Sequence, residues 1–206
     1  MTFCQKERNA MKRLMHLALL LAFVVLAANC GASREQIHTQ SKTLCEGIFC
    51  EVNTSGGPPP GYADMVIKAS LKTHLAGEGT LLEFGNCLHG GEFYHFVINI
   101  DGQAVTWKVP GQRENISLAG GQHSQDEGNG MKYALEKKIW LRAGTHRVFL
   151  GVPESNSTKT VTVNLQEGKS YTLEFRPIYT RHKAGHPSFR NGFLGFNAVF
   201  DNTSNS

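Results

Sequence analysis

Nine histidines are the residues with most to offer chemically, because an imidazole changes charge near neutral pH. His123 shares the stretch Ala119–Gly130 (AGGQHSQDEGNG) with Asp126 and Glu127. Those three side chains read either as a catalytic or metal cluster or as the polar surface of a solvated loop. The stretch has no aliphatic residue beyond Ala119, and loops of about 12 residues inside a compact domain are often functional or disordered. His182-x3-His186 has a spacing a metal can use, but its neighbours Arg181, Lys183 and Arg190 are cationic and supply no carboxylate. His146 follows Gly144 and reads as a packed strand-edge residue. No Gly-x-Ser-x-Gly elbow, His-Glu-x-x-His helix or phosphate loop occurs. The expectation is therefore a chain with no catalytic residues, no metal and no cofactor. Its runner-up is a hydrolase using His, Asp and Glu from the loops Ala119–Gly130 and Arg181–Asn191, which requires those loops to converge in one cleft.

The segment Met11–Cys30 (MKRLMHLALLLAFVVLAANC) sets the compartment. Lys12 and Arg13 precede an apolar run, Leu14–Leu26, and small residues follow at Ala27 and Ala28. That order is the layout of a secretory signal. About 13 apolar residues fall short of the roughly 18–20 that span a bilayer, although an uncleaved anchor is the competing reading. Met11 followed by Lys-Arg fits a signal start and Met1–Ala10 does not, so translation is expected to begin at Met11. Leu-Ala-Ala-Asn-Cys, ending at Cys30 and followed by Gly31, resembles the lipobox of bacterial lipoproteins. That resemblance implies acylation of Cys30 and sorting of the mature chain to the outer membrane. Ordinary cleavage after Ala27 or Ala28 is the alternative and leaves a secreted, soluble protein.

The formal charge of +4 invites a nucleic-acid reading. Four basic residues and one acidic residue precede Cys30, so the 21 and 17 of the whole chain become 17 and 16 in the mature part. That near-neutral balance, with no Lys/Arg-rich run, excludes a phosphate footprint and a nucleic-acid partner. With Cys4 and Cys30 set aside, Cys45, Cys50 and Cys87 are candidates for a disulfide in an exported chain. Cys45–Cys50 would close a local loop, Cys87 with either would staple the N-terminal arm, and the sequence does not choose. Cys45-x4-Cys50 lacks the second pair of a zinc site. Asn53, Asn115, Asn156 and Asn202 each begin an Asn-x-Ser/Thr sequon, which matters only in a eukaryotic secretory pathway.

Residues 30–62 read as a Pro/Gly-rich tether, with Asn53–Gly61 (NTSGGPPPG) as a linker by composition, and residues 63–201 read as the folded domain, followed by a short tail. From Met65 to Leu75 apolar residues alternate with polar ones, the pattern of a half-buried strand whose other face, including Lys68 and Lys72, is turned to water. Glu92–Ile100 is the strongest core strand. Asp101-Gly102 reverses it with the chemistry of a two-residue hairpin, and Gln103–Val109 returns. Further alternating runs are Glu114–Leu118, Tyr133–Leu141, Thr145–Val152, Val161–Leu165, Tyr171–Arg176 and Gly192–Phe200. No stretch after the signal has a helical period. Trp107, Trp140, Tyr94 and Tyr133 read as core aromatics or as a sugar-binding face. Eight to ten short strands at roughly ten-residue spacing predict an all-β, antiparallel immunoglobulin-like sandwich after the signal helix and linker.

Three stretches carry a family resemblance: Val97–Gln103, Leu141–Val148, and Val161–Leu165 with Glu167–Leu173. A strand ending in Asp-Gly, a turn ending in Gly-x-His and a final hairpin with Glu-Gly-Lys resemble the PEGA-like module of envelope lipoproteins. A related group of uncharacterised lipoproteins adds a Gly/Phe-rich last strand, as in Phe193–Phe200. The resemblance covers about half the mature chain, with Arg142-Ala143-Gly144 where the family carries Pro-Glu-Gly-Ala. It implies a β-sandwich of envelope or surface type and supplies no catalytic residues; the expectation for the chain is a non-enzymatic, membrane-anchored envelope lipoprotein that binds protein or glycan.

Overall fold

The structure is a computed structural model that describes residues 33–52, 56–77, 89–117, 123–181 and 185–202. Cys30, Cys87 and His182, the strand expected at 80–84 and the signal segment lie outside the described residues. The chain divides into two compact units, Met1–Gln36 and Ile37–Ser206. Of the first, the described residues 33–36 are helical.

The second unit is the expected all-β sandwich. Among the described residues ten strands run in chain order: β1 Phe49–Glu51, β2 Tyr62–Thr73, β3 Phe93–Ile100, β4 Gln103–Pro110, β5 Gln112–Ile116, β6 Gly128–Arg142, β7 Gly144–Val152, β8 Ser157–Leu165, β9 Ser170–Tyr179 and β10 Phe193–Asn202. One sheet has the order β1-β6-β2-β9-β10, with β5 also on β6, and the other the order β4-β3-β7-β8. The period-two pattern is the cause. Met65, Ile67, Ala69 and Leu71 of β2 face Tyr94, Phe96, Ile98 and Ile100 of β3 across one buried cluster, completed by Leu135, Ile139, Leu150, Leu173 and Phe175. Asp101 and Gly102 take φ of 47° and 97°, the two left-handed positions that a tight hairpin with the right twist demands.

The structure departs from the sequence reading in three places. The pairing is antiparallel except between β2 and β9, which run parallel with Met65 opposite Tyr171. A parallel neighbour needs a long crossover, and here everything from β3 to β8 supplies it. Part of the stretch expected as a tether, the strand β1, is built into the sandwich, while most of the described residues around it are exposed. Phe49 is buried and β1 pairs with β6. The Gln103 side-chain amide brackets that strand, its Oε1 accepting from Ile48 N at 2.7 Å and its Nε2 donating to Phe49 O at 2.9 Å. Trp107 Nε1 donates to Glu51 at 2.8 Å. These anchors are side-chain hydrogen bonds between residues far apart in sequence, so composition hides them. Finally, residues 33–40 are helical, and Ile37 buries against Val97 and Phe149. One apolar contact per two turns is too sparse to register as an amphipathic stripe.

The local Cys45–Cys50 bridge is not formed; both are free, exposed thiols. Cys45 lies over the Gly102 turn while Cys50 extends along β1 opposite Trp140.

Candidate functional site

The site is built on the outer face of the larger sheet, and its foundation is Lys72. The alternation puts this side chain opposite the core face of β2, yet it is 1 % exposed. A buried ammonium is tolerated only when its donors are met. Lys72 Nζ has three partners for its three protons: Glu114 Oε2 at 3.1 Å, Asp126 O at 2.7 Å and Gly128 O at 2.8 Å. The lysine thus ties β5 and the 123–128 segment down over the end of β2. Lys132 closes the network, 2.5 Å from Asp126 Oδ2 and 3.9 Å from Glu114. Asp126 Oδ1 is buried without a hydrogen-bond partner.

Glycine is what lets the layers come this close. A Cβ on Gly130 would lie 2.7 Å from Thr73 O and 2.9 Å from Lys72 Cε. Gly128, with φ of +104°, would place a Cβ 2.5 Å from Arg190 Nη2. Both conditions explain why Gly-Asn-Gly opens β6.

The second loop docks onto the first through Phe189. Ser188 caps a short 3-10 turn, Phe189–Asn191, its Oγ accepting from Arg190 N at 3.3 Å. Phe189 is buried, its N–H donates to Gln125 O at 3.0 Å, and its ring sits 5.2 Å from Lys72 Nζ and 5.7 Å from the His74 ring. Tyr179, at the end of β9, accepts from Lys72 N at 2.7 Å where the β2–β9 ladder has run out. Burial first, and then the charge of Asp126, push its hydroxyl far above the ordinary tyrosine value, against a lowering by its bond to the Lys72 backbone.

Between the two loops and the end of β5 lies a cleft of about 650 Å³. The His123 and His186 rings stack across it, 4.6 Å between centroids and inclined by 23°. Glu127 Oε2 is 3.4 Å from His123 Nδ1. Arg190 lies against the backbone of Gly128, and Ser117 and Asn115 are among the other described residues that line the cleft. Convergence, which the hydrolase reading requires, is met by His123, His186 and Glu127. Asp126 is not with them; it turns inward to Lys132 and serves the scaffold. Arg190 and Lys72 escape a sequence reading, because nothing local marks either one.

The other candidates fall elsewhere. His146 is a packed residue on β7, 2.6 Å from Asp101 Oδ2 and 2.7 Å from the Arg142 carbonyl oxygen. Trp107, Tyr94 and Tyr133 are core residues, the two tyrosine rings 4.3 Å apart, so no aromatic sugar-binding face forms from them. Among the described residues no group of three or more His, Cys, Asp or Glu could hold a metal ion, and no helix is long and apolar enough to cross a membrane.

Fold and site together define the class: an all-β sandwich with a polar cleft pinned over one sheet by a buried lysine. Set against protein-family models, curated proteins and solved structures, the chain has no match in any of the three.

Proposed function

We propose that the chain is exported, held at the cell envelope by a lipid on Cys30, and works there as a non-enzymatic module that binds a protein or glycan surface through the cleft between residues 123–128 and 185–190. One observation carries the binding half of the reading. Two loops distant in sequence are fixed to each other by Phe189 and to the sheet by the three bonds of Lys72, so the walls are organised before a ligand arrives. The anchoring half rests on the signal layout and the lipobox resemblance, and the PEGA-like resemblance supports the same envelope role. Acyl chains contribute roughly 0.8 kcal/mol per buried methylene, so a multiply acylated cysteine holds a domain stably.

Metabolic labelling with palmitate and detergent partitioning test the anchor. Wild type is expected to label and to enter the detergent phase, and Cys30→Ser to do neither. A Cys30→Ser chain that still labels contradicts the proposal.

The meeting of His123, His186 and Glu127 favours a second reading, a secreted or envelope hydrolase. It lacks a nucleophile in place. Ser124 Oγ accepts from Asp126 N and Ser188 Oγ from Arg190 N, and among the described residues neither imidazole has a hydroxyl partner. Turnover of a panel of chromogenic esters, glycosides and phosphoesters that disappears in both His123→Gln and His186→Gln would establish this second reading instead.

A further inference from the structure

We infer that the cleft takes an acidic sugar, a polyhydroxylated ligand carrying one carboxylate or phosphate that Arg190 binds. The inference rests on the binding-module reading and gives it a ligand class.

Arg190 is the first reason. Five other cations of this face are matched, while Arg142, at the far end of β6, is like Arg190 in having no carboxylate at ion-pair distance among the described residues. Lys68 pairs with Glu136, Lys72 with Glu114, Lys132 with Asp126, Lys138 with Asp64 and Arg176 with Glu174. Arg190 has no carboxylate within ion-pair distance among the described residues, and its guanidinium lies 5.7 Å from the Phe189 ring. The side chain is exposed, and packing alone sets its place. The backbone of Gly128 forms the wall it leans on, close enough that a Cβ there would strike Nη2, and the Gly128 carbonyl is held from behind by Lys72. A planar guanidinium, placed but unpaired, offers paired N–H donors in the geometry that suits carboxylate and phosphate oxygens.

The rest of the cleft decides what accompanies the charge. A volume of about 650 Å³ is far more than a bare anion fills and lies within the range of small-molecule sites. Ser117 and Asn115 line it, with no side-chain partner among the described residues, so both are available to hydroxyl groups. Glu127 stands in the same space. Its carboxylate accepts from a hydroxyl but repels a second negative charge, which disfavours a polyanion. The stacked pair His123 and His186 adds ring nitrogens and flat faces against which a pyranose lies. One anionic group with several hydroxyls satisfies all of these groups.

The test uses the full chain, solubilised in detergent, and isothermal titration with three probes: D-glucuronate, glucose 6-phosphate and D-glucose. At least one acidic probe is expected to bind saturably, and glucose to bind about tenfold more weakly or not at all. Whichever acidic probe binds at the lower concentration identifies carboxylate or phosphate as the natural group, and either supports the inference. Arg190→Gln is expected to weaken the acidic probe about tenfold or more and to abolish the preference over glucose. Gly128→Ala, which displaces the guanidinium from the other side, is expected to do the same. Arg147→Gln, an exposed arginine on the opposite sheet, leaves binding as it was.

Equal binding of glucose and the acidic probes overturns the inference and leaves the binding module standing, provided His186→Ala removes both. Unchanged affinity of a folded Arg190→Gln chain overturns it too. If no probe binds, the acidic-sugar class fails, while a protein ligand lost in His186→Ala would still sustain the broader proposal.

Discussion

Replacing Lys72 by methionine should weaken the whole unit and release the cleft. The substitution keeps an unbranched apolar stem, one atom shorter, and removes the ammonium. Two carbonyl oxygens at half-buried residues, Asp126 and Gly128, lose a charged donor at 2.7 and 2.8 Å. Net values for hydrogen bonds to charged groups are about 1.5–3 kcal/mol each. Against this, a buried charge no longer has to be desolvated, and Glu114, with its side chain 35 % exposed, returns to water and keeps Lys132 at 3.9 Å. The balance is a loss of about 3 kcal/mol, at the lower end of what breaking a buried pair costs. With a urea slope of about 2 kcal/mol/M, the midpoint falls by roughly 1.5 M. Lys68→Met is the matched control. It sits on the same face of β2, but its pair with Glu136 is 42 % and 67 % exposed. Exposed pairs contribute about 0.5 kcal/mol or less, so the control midpoint should barely move. Urea unfolding followed by far-ultraviolet dichroism reads both variants. A Lys72→Met midpoint within about 0.3 M of the Lys68→Met midpoint refutes the idea that this lysine holds the loops down.

Gly128→Ala should destabilise by about 1–3 kcal/mol, since φ of +104° is strained for alanine and its Cβ strikes Arg190; thermal melting reads the loss. Phe49→Ala should cost about 3 kcal/mol on the same melt, because the residue is buried core rather than tether. Asp101→Ala should cost about 2–3 kcal/mol by removing the carboxylate that accepts from Arg147 N and holds His146. Tyr94, Tyr133 and Tyr179 all have hydroxyls raised above the ordinary value of 10.0, burial being the main cause in each. Folding favours their neutral form, so the stability they confer is complete below pH 10 and is lost as pH rises through the higher folded-state values. Absorbance at 295 nm should show these three ionising only together with alkaline unfolding; a smooth single titration of all five tyrosines in folded protein contradicts this.

Alternation was enough to read the sheets. Met65 to Leu71 and Tyr94 to Ile100 each show a dry face, and Asp101-Gly102 announces its hairpin because backbone sterics leave few other choices. What could not be read shares one cause, contact between residues far apart in sequence. Lys72 falls on the polar face of a period-two strand, and only the arrival of residues 126, 128 and 189 overhead turns that face into an interior. Phe49 sits in a run with no alternation because β1 is three residues long and is held by Gln103 and Trp107 from β4. The parallel β2–β9 pair joins strands about a hundred residues apart. In the cleft, His123, Glu127 and His186 were identifiable by type, but their meeting was not, and Arg190 looked like one more charge in a basic loop. The signal layout and the lipobox resemblance at Cys30 rest on local order alone and lie outside the described residues.

The two loops meet over Lys72, and the exchange rate of the Phe189 amide hydrogen measures that contact most directly. This amide donates to Gln125 O across the junction. It is predicted to be protected by at least about a hundredfold in wild type and to lose that protection in Lys72→Met while amides of the β2–β6 ladder stay slow. A Phe189 amide that exchanges in wild type as freely as in an unfolded peptide would mean that the loops stand apart and that the cleft does not exist.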